Sequence, residues 1–134
     1  MMKWLIAFVI AGSTFGVLDA IWLTWAGPNL YKPVIGEIMS ESFRLLPAIL
    51  FYLIYLMGML WFAIKPALRS RRLKDALVNG AILGAICYST FDLTSQAVFK
   101  VWASHITITD IIWGTIVTSV SAVVSSYFTL KLIR

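Results

Sequence analysis

The chain has 134 residues, of which 60% are hydrophobic and only 13% are charged, and its mean hydropathy is +0.89. A soluble domain usually carries about 25% charged residues, and so short a chain cannot bury this much apolar surface in water. The composition therefore excludes a soluble globular protein and predicts one all-α integral membrane domain. The net charge of +5 does not indicate nucleic-acid binding, because the basic residues flank apolar segments, where lipid headgroups and insertion topology account for them.

Four segments contain enough apolar residues to cross a bilayer, which takes about 20 residues in a helix. They predict spans over residues 4–26, 45–64, 75–99 and 107–130, all within a single transmembrane domain covering residues 1–134. Gly27, Pro28 and Asn29 predict the end of the first helix. Residues 30–43 have apolar side chains at roughly helical spacing, which indicates either a short helix on the membrane surface or a polar loop.

The distribution of basic residues predicts the orientation of the spans. The ten residues 65–74 contain five Lys or Arg side chains, which is typical of a cytoplasmic loop. With both termini on the cytoplasmic side, eight basic residues lie inside and three lie outside, whereas the opposite orientation inverts that ratio. We therefore expect a bundle of four antiparallel helices with both termini in the cytoplasm.

Three aspartates lie inside otherwise apolar spans: Asp19, Asp92 and, nearer a membrane surface, Asp110. A carboxylate at such depth costs a few kcal/mol or more, so it must face protein or water. At helical spacing each aspartate falls on the side of its helix that carries small or hydroxyl-bearing residues. At 1.5 Å per residue, Asp19 lies roughly 13 Å from Pro28, Asp92 roughly 12 Å from Lys100, and Asp110 about 5 Å from the start of its span. We therefore expect the three carboxyl groups to face the bundle interior in the outer half of the membrane.

Other polar and aromatic side chains accompany these aspartates along the helices. Together they form a candidate site for a ligand or ion: Asp19, Asp92, Asp110, Trp22, Tyr88, Gln96 and Trp113. Neighbouring carboxylates cannot all stay ionised without a cation. Three states are open: a shared proton, a bound metal or amine, or hydrogen bonds to hydroxyls, Gln96 and the indole N–H groups.

Structural roles compete with a ligand site for several of these patterns. Buried aspartates also hold helices together, and the stripe of Tyr52, Tyr55, Met59 and Phe62 is typical of core packing. Small residues at a spacing of four predict close helix contacts, either within the chain or between copies in a homo-oligomer: Gly12, Gly16, Gly80 and Gly84. The first and third spans share this pattern, each followed by an aromatic residue and an aspartate, which indicates either an internal duplication or chance.

An enzymatic role receives little support from the sequence, and no catalytic residue or cofactor is assigned. Cys87 and His105 are the only residues of their types, so no intrachain disulfide and no zinc spacing exist. Cys87 lies about three turns deeper than His105, which excludes a Cys–His pair. Thr109-Asp110 lacks the glycine-rich sequence of intramembrane aspartic proteases.

Four separate motifs occur in order along the chain: residues 18–23 (LDAIWL), 30–36 (LYKPVIG), 91–94 (FDLT) and 110–114 (DIIWG). On these motifs the sequence resembles the DUF2177 family of bacterial inner-membrane proteins, over nearly its whole length. The resemblance implies a four-helix protein of the bacterial inner membrane and implies no reaction.

The sequence thus predicts an integral membrane protein that contacts the lipid bilayer and uses buried aspartates to bind or transport a small cation or a proton. The alternative is a structural or accessory subunit, for example of lipid or redox metabolism, in which the aspartates are helix-packing groups.

Overall fold

The computed structural model describes residues 1–133, and four long helices account for most of them. These are α1 (Met2–Ile38), α2 (Leu45–Ser70), α3 (Leu73–Val98) and α4 (Ser104–Leu132), and each is long and apolar enough to cross a membrane. No β-strand occurs between residues 1 and 133. The prediction of an all-α bundle of membrane helices is therefore confirmed.

The first helix does not end at Gly27, so that prediction was wrong. The chain continues through a wide π-helical turn (Gly27–Tyr31), an α-helical turn (Lys32–Ile35) and a 3₁₀ turn (Gly36–Ile38). In the wide turn the N–H of Lys32 donates to the carbonyl of Gly27, five residues back. Pro33 follows directly; it has no N–H, and its ring would collide with the carbonyl four residues earlier in a regular helix. Widening the turn relieves that collision, and the helix continues.

The same device extends α2 beyond the predicted end of its span at residue 64. A second wide turn, Leu60–Ile64, again directly precedes a Lys-Pro dipeptide, and the N–H of Lys65 donates to the carbonyl of Leu60. The helix runs on to Ser70 and ends where Arg71 takes a left-handed conformation with φ of 58°. Pro33 and Pro66 thus lie within α1 and α2 without ending them.

Helices α3 and α4 form the most extensive contact of the bundle, and glycines make it possible. A Cβ atom on Gly80 would lie 2.8 Å from the Cα of Ser119, and one on Gly84 would overlap the backbone carbonyl of Gly114. Gly114 in turn leaves room for the ring of Tyr88. Gly80 and Gly84 are therefore used for packing within the chain.

The glycines of α1 are less tightly packed. Gly12 faces the side chain of Leu56 on α2, and nothing lies within 4 Å of a Cβ added at Gly16. Helix α1 instead packs closely against α4, where the Ser125 hydroxyl donates to the carbonyl of Ala7 over 2.7 Å. Alanine and serine thus bring these two helices together.

Helix α2 is embedded in the bundle only along its second half. Met59, Ala63 and Ile64 are completely buried, whereas most side chains between residues 45 and 54 are exposed, as Leu46 and Ile54 are. The first half of α2 contacts α1 sparsely and has no extensive contact with α3 or α4. A gap therefore remains beside α1 in the half of the bundle distant from the termini.

The glycine contact between α3 and α4 can be tested with Gly84→Ala. The added methyl group meets backbone that cannot rotate away, so we expect the free energy of unfolding to fall by about 1–3 kcal/mol. Gly58→Ala is the matched control, because nothing lies within 4 Å of that Cβ position and alanine favours helix more than glycine. Thermal unfolding in detergent measures both variants. Equal melting temperatures would contradict the packing described here.

Candidate functional site

A cavity of about 570 Å³ occupies the half of the bundle distant from the termini. It lies between all four helices and is lined by three aspartates, by a set of aromatic side chains and by a smaller set of aliphatic ones. The aromatic residues are Trp22, Tyr31, Phe43, Phe51, Tyr52, Tyr55, Tyr88, Phe91, Trp102 and Trp113. Such a lining favours a ligand with both apolar surface and charge.

The three acidic residues of the cavity come from three helices. Asp19 lies on α1, Asp92 on α3 and Asp110 on α4, and all three are buried. Each lies on the helix face that also carries closely packed small residues, such as Gly84 on α3 and Gly114 on α4. The carboxyl groups consequently face the interior of the bundle and not its lipid-facing surface.

Asp19 receives hydrogen bonds from two other helices. The hydroxyl of Tyr52 on α2 donates to one carboxylate oxygen, and the indole N–H of Trp113 on α4 lies 3.4 Å from the other. Tyr52 packs edge-on against Phe15, which is completely buried and fixes the ring. Asp19 therefore joins α1 to α2 and α4.

Asp110 is held by the extension of α1 beyond its wide turn. The hydroxyl of Tyr31 donates to Asp110 Oδ1 over 2.5 Å and accepts from the indole N–H of Trp22 over 3.2 Å. Without the wide turn before Pro33, α1 would not continue in its present direction at Tyr31. The wide turn of α1 thus places the hydroxyl of Tyr31 in the wall of the cavity.

Two indole rings are stacked in the wall of the cavity. Trp22 and Trp113 are nearly parallel, with ring centroids 4.7 Å apart and an interplanar angle of 8°. The indole N–H of Trp22 donates to the Tyr31 hydroxyl, and the indole N–H of Trp113 donates to the Asp19 carboxylate. The stack fixes both rings beside the carboxyl groups, where the N–H groups donate and the π faces attract positive charge.

Asp92 differs from the other two aspartates. Its side chain is 0% exposed, yet neither carboxylate oxygen has a hydrogen-bond partner. It lies beside Asp110, close enough for the two carboxyl groups to hydrogen-bond when one of them carries a proton. As two carboxylates they have no donor between them, which explains why both oxygens of Asp92 are unpaired. A buried unpaired carboxylate is strongly unfavourable, so this position requires a proton or a cation.

Gln96 is the one candidate residue that does not line the cavity. Its side chain donates to the Ser104 hydroxyl over 2.9 Å and accepts from the Thr107 hydroxyl over 2.8 Å. Thr107 also accepts from the indole N–H of Trp102 over 2.9 Å, and Trp102 does line the cavity. Gln96 therefore supports the connection between α3 and α4. The structure brings together the six other candidates, Asp19, Asp92, Asp110, Trp22, Tyr88 and Trp113.

Sequence reasoning missed Tyr31 and Tyr52, the two direct partners of the aspartates. Tyr31 was placed in a separate surface segment because the helix was expected to stop at Gly27, although apolar spacing continued beyond it. Tyr52 was interpreted as core packing, and its neighbour Tyr55 fits that interpretation, since its ring is buried and its hydroxyl bonds to Thr118 over 2.7 Å.

The cavity is acidic without a compensating base. No Lys, Arg or His occurs among the described residues that line it. Within residues 1–133, no three His, Cys, Asp or Glu side chains converge closely enough to hold a metal ion.

The fold and the cavity together define a four-helix membrane protein with a buried acidic, aromatic-lined site. The chain belongs to the DUF2177 family, described as predicted membrane proteins, whose family model matches residues 4–127. The resemblance seen in the sequence is therefore confirmed. No curated protein and no solved structure gives a significant match to the chain.

The tyrosine–aspartate bonds predict a stability effect for Tyr52→Phe and Tyr31→Phe. Each substitution removes the hydroxyl donor of a buried carboxyl group, so we expect a loss of about 1–3 kcal/mol in the free energy of unfolding. Tyr127→Phe is the control, because Tyr127 lies 43% exposed on the surface of α4. Thermal unfolding measures the three variants. A loss in Tyr127→Phe as large as in the other two would refute a specific role for the bonds.

Proposed function

We propose that this protein binds a small organic cation in the cavity, with Asp92 as the main counter-ion. The observation that carries the proposal is the fully buried Asp92 carboxyl, which has no hydrogen-bond partner and lines a cavity containing two further acids. A bound ammonium group supplies the positive charge that compensates this buried carboxyl. In its absence, one proton shared between Asp92 and Asp110 neutralises the pair.

The walls of the cavity support a ligand of this type. Positive charge is attracted by the faces of aromatic rings, most strongly by tryptophan, and Trp22 and Trp113 are stacked beside the carboxyl groups. The volume of about 570 Å³ falls within the range of roughly 300–1,000 Å³ that is common for small-molecule sites. A proton or a bare metal ion needs far less space.

The distribution of basic residues supports an orientation in which this cavity lies toward the outer side of a bacterial inner membrane. Seven described Lys or Arg residues lie at the end of the bundle that carries the termini, and the cavity lies in the other half: Lys3, Lys65, Arg69, Arg71, Arg72, Lys74 and Lys131. Between the two ends the bundle is filled by completely buried side chains, among them Phe15, Met59 and Val117. Binding from the outer side therefore requires only a local movement of the side chains that cover Asp92, which is 0% exposed, whereas transport requires this core to open.

A second candidate is a structural or accessory role with the aspartates as packing groups. The bonds of Tyr52 to Asp19 and of Tyr31 to Asp110 favour it, because each links two different helices. Asp92 separates the two hypotheses, since no tyrosine or indole donates to it and its only link, to Asp110, depends on a shared proton. A residue that serves ligand binding lowers the free energy of unfolding, whereas a residue that packs helices together raises it.

Cation binding predicts that Asp92→Asn loses affinity for tetraethylammonium. Removing the main counter-ion should raise the Kd at least tenfold, which corresponds to about 1.4 kcal/mol. Tryptophan fluorescence of the purified protein reports binding, because Trp22, Trp102 and Trp113 line the cavity. Asp75→Asn is the control, since Asp75 lies at the opposite end, where it accepts from the Ser70 hydroxyl over 2.5 Å. Equal affinities in wild type and Asp92→Asn would rule out the proposed site.

The same variant separates binding from packing by its stability without ligand. If Asp92 serves the ligand, Asp92→Asn should melt at the same temperature as the wild type or higher, because one of two adjacent buried acids is removed and the new amide can donate to Asp110 in place of the shared proton. Asp19→Asn should melt lower, because it disrupts the bonds from Tyr52 and Trp113. A melting temperature of Asp92→Asn as low as that of Asp19→Asn would favour the packing role.

A further inference from the structure

The mouth of the cavity is apolar and lies at the side of the bundle. It is formed by Leu23 on α1, Met39 and Phe43 in the connection between α1 and α2, and Ala48 and Phe51 on α2. These side chains are partly or largely exposed, and Phe43 is the most exposed of them at 77%. At 1.5 Å per residue, Phe51 lies about 9 Å deeper than Leu45, where α2 begins. The mouth therefore extends from the membrane interface into the zone of the acyl chains.

The detached first half of α2 produces this opening. Residues 45–54 are mostly exposed and have few contacts with α1, whereas the helix is packed into the bundle from Tyr55 onward. A ligand that leaves the cavity between α1 and α2 consequently meets hydrocarbon and not bulk water. The polar end of the cavity, at Asp92, is completely buried.

From this geometry we infer that the ligand is a long-chain amphiphile with a single ammonium headgroup. The headgroup occupies the space beside Asp92 and Asp110, and the chain passes the mouth residues into the surrounding lipid. This inference rests on the proposed function and adds the substrate class and the route of entry.

The charge of the cavity excludes the commonest ammonium-bearing membrane lipids. A phosphoethanolamine or phosphocholine headgroup carries a phosphate a few bonds from its ammonium group. The described cavity lining holds three carboxyl groups and no basic side chain. The phosphate would therefore be repelled by the carboxylates and would have no cationic partner. A long-chain amine without phosphate fits the site, and a phospholipid does not.

The test uses the full chain in nanodiscs of phosphatidylglycerol, a lipid without an ammonium group. The probe is decyltrimethylammonium with a photoreactive diazirine at the end of its chain, and decanol with the same diazirine is the uncharged control. We expect the ammonium probe to label residues 35–51 at least fivefold more than the alcohol does. Excess tetraethylammonium and Asp92→Asn should both abolish this excess labelling.

A variant at the mouth provides an independent measurement. Ala48→Phe fills the mouth and should reduce the labelling of residues 35–51 severalfold. Ala97→Phe, an exposed alanine on α3, is the matched control and should leave the labelling unchanged. Labelling that is equal in Ala48→Phe and in wild type would overturn the route between α1 and α2.

The two proposals fail in distinguishable ways. If the ammonium probe labels the lipid-facing helices as evenly as the alcohol, while tetraethylammonium still binds in an Asp92-dependent manner, the ligand is a compact cation and the amphiphile inference is wrong. If tetraethylammonium shows no Asp92-dependent binding, the cation site itself is wrong, and the amphiphile inference fails with it.

Discussion

A carboxyl group inside a membrane protein needs a partner, and this requirement explains most of the architecture around the cavity. Asp19 and Asp110 each obtain a hydroxyl donor from a tyrosine on another segment of the chain. Those two bonds, with the indole N–H groups of Trp22 and Trp113, tie the ends of α1, α2 and α4 together. Asp92 is the exception, since the protein buries it beside Asp110 and supplies no donor. The proposed cation site rests on this one unmet requirement.

The fold was predictable from the sequence because lipid imposes simple rules. A helix that crosses a bilayer must be long and apolar, so hydropathy alone located the four helices. The inward direction of Asp19, Asp92 and Asp110 was predictable for the same reason, because helical spacing placed each of them on a face with small residues. Their common location followed because all three lie in the same half of their predicted spans, with Asp110 nearest the surface.

The parts that the sequence did not reveal depend on contacts between distant segments. The continuation of α1 past Gly27 depends on a wide turn, and glycine and proline usually signal the end of a helix. The roles of Tyr31 and Tyr52 depend on which residues face them across the bundle, and no local pattern contains that information. For Gln96 the position on the helix predicted a place in the site, but its amide instead forms hydrogen bonds with Ser104 and Thr107 outside the cavity.

The wide turn at Leu60–Ile64 lies inside the anchored part of α2, because Tyr55, Leu56 and Met59 ahead of it are already buried. The loosely packed part is residues 45–54, whose side chains are exposed or half-buried and which the Tyr52–Asp19 bond ties to α1. Few contacts hold this segment, and segments of that kind open at low free energy while the rest of a protein stays folded. The α2 side of the cavity is therefore the least constrained part of its wall, and it can bend without disturbing the contacts that begin at Tyr55.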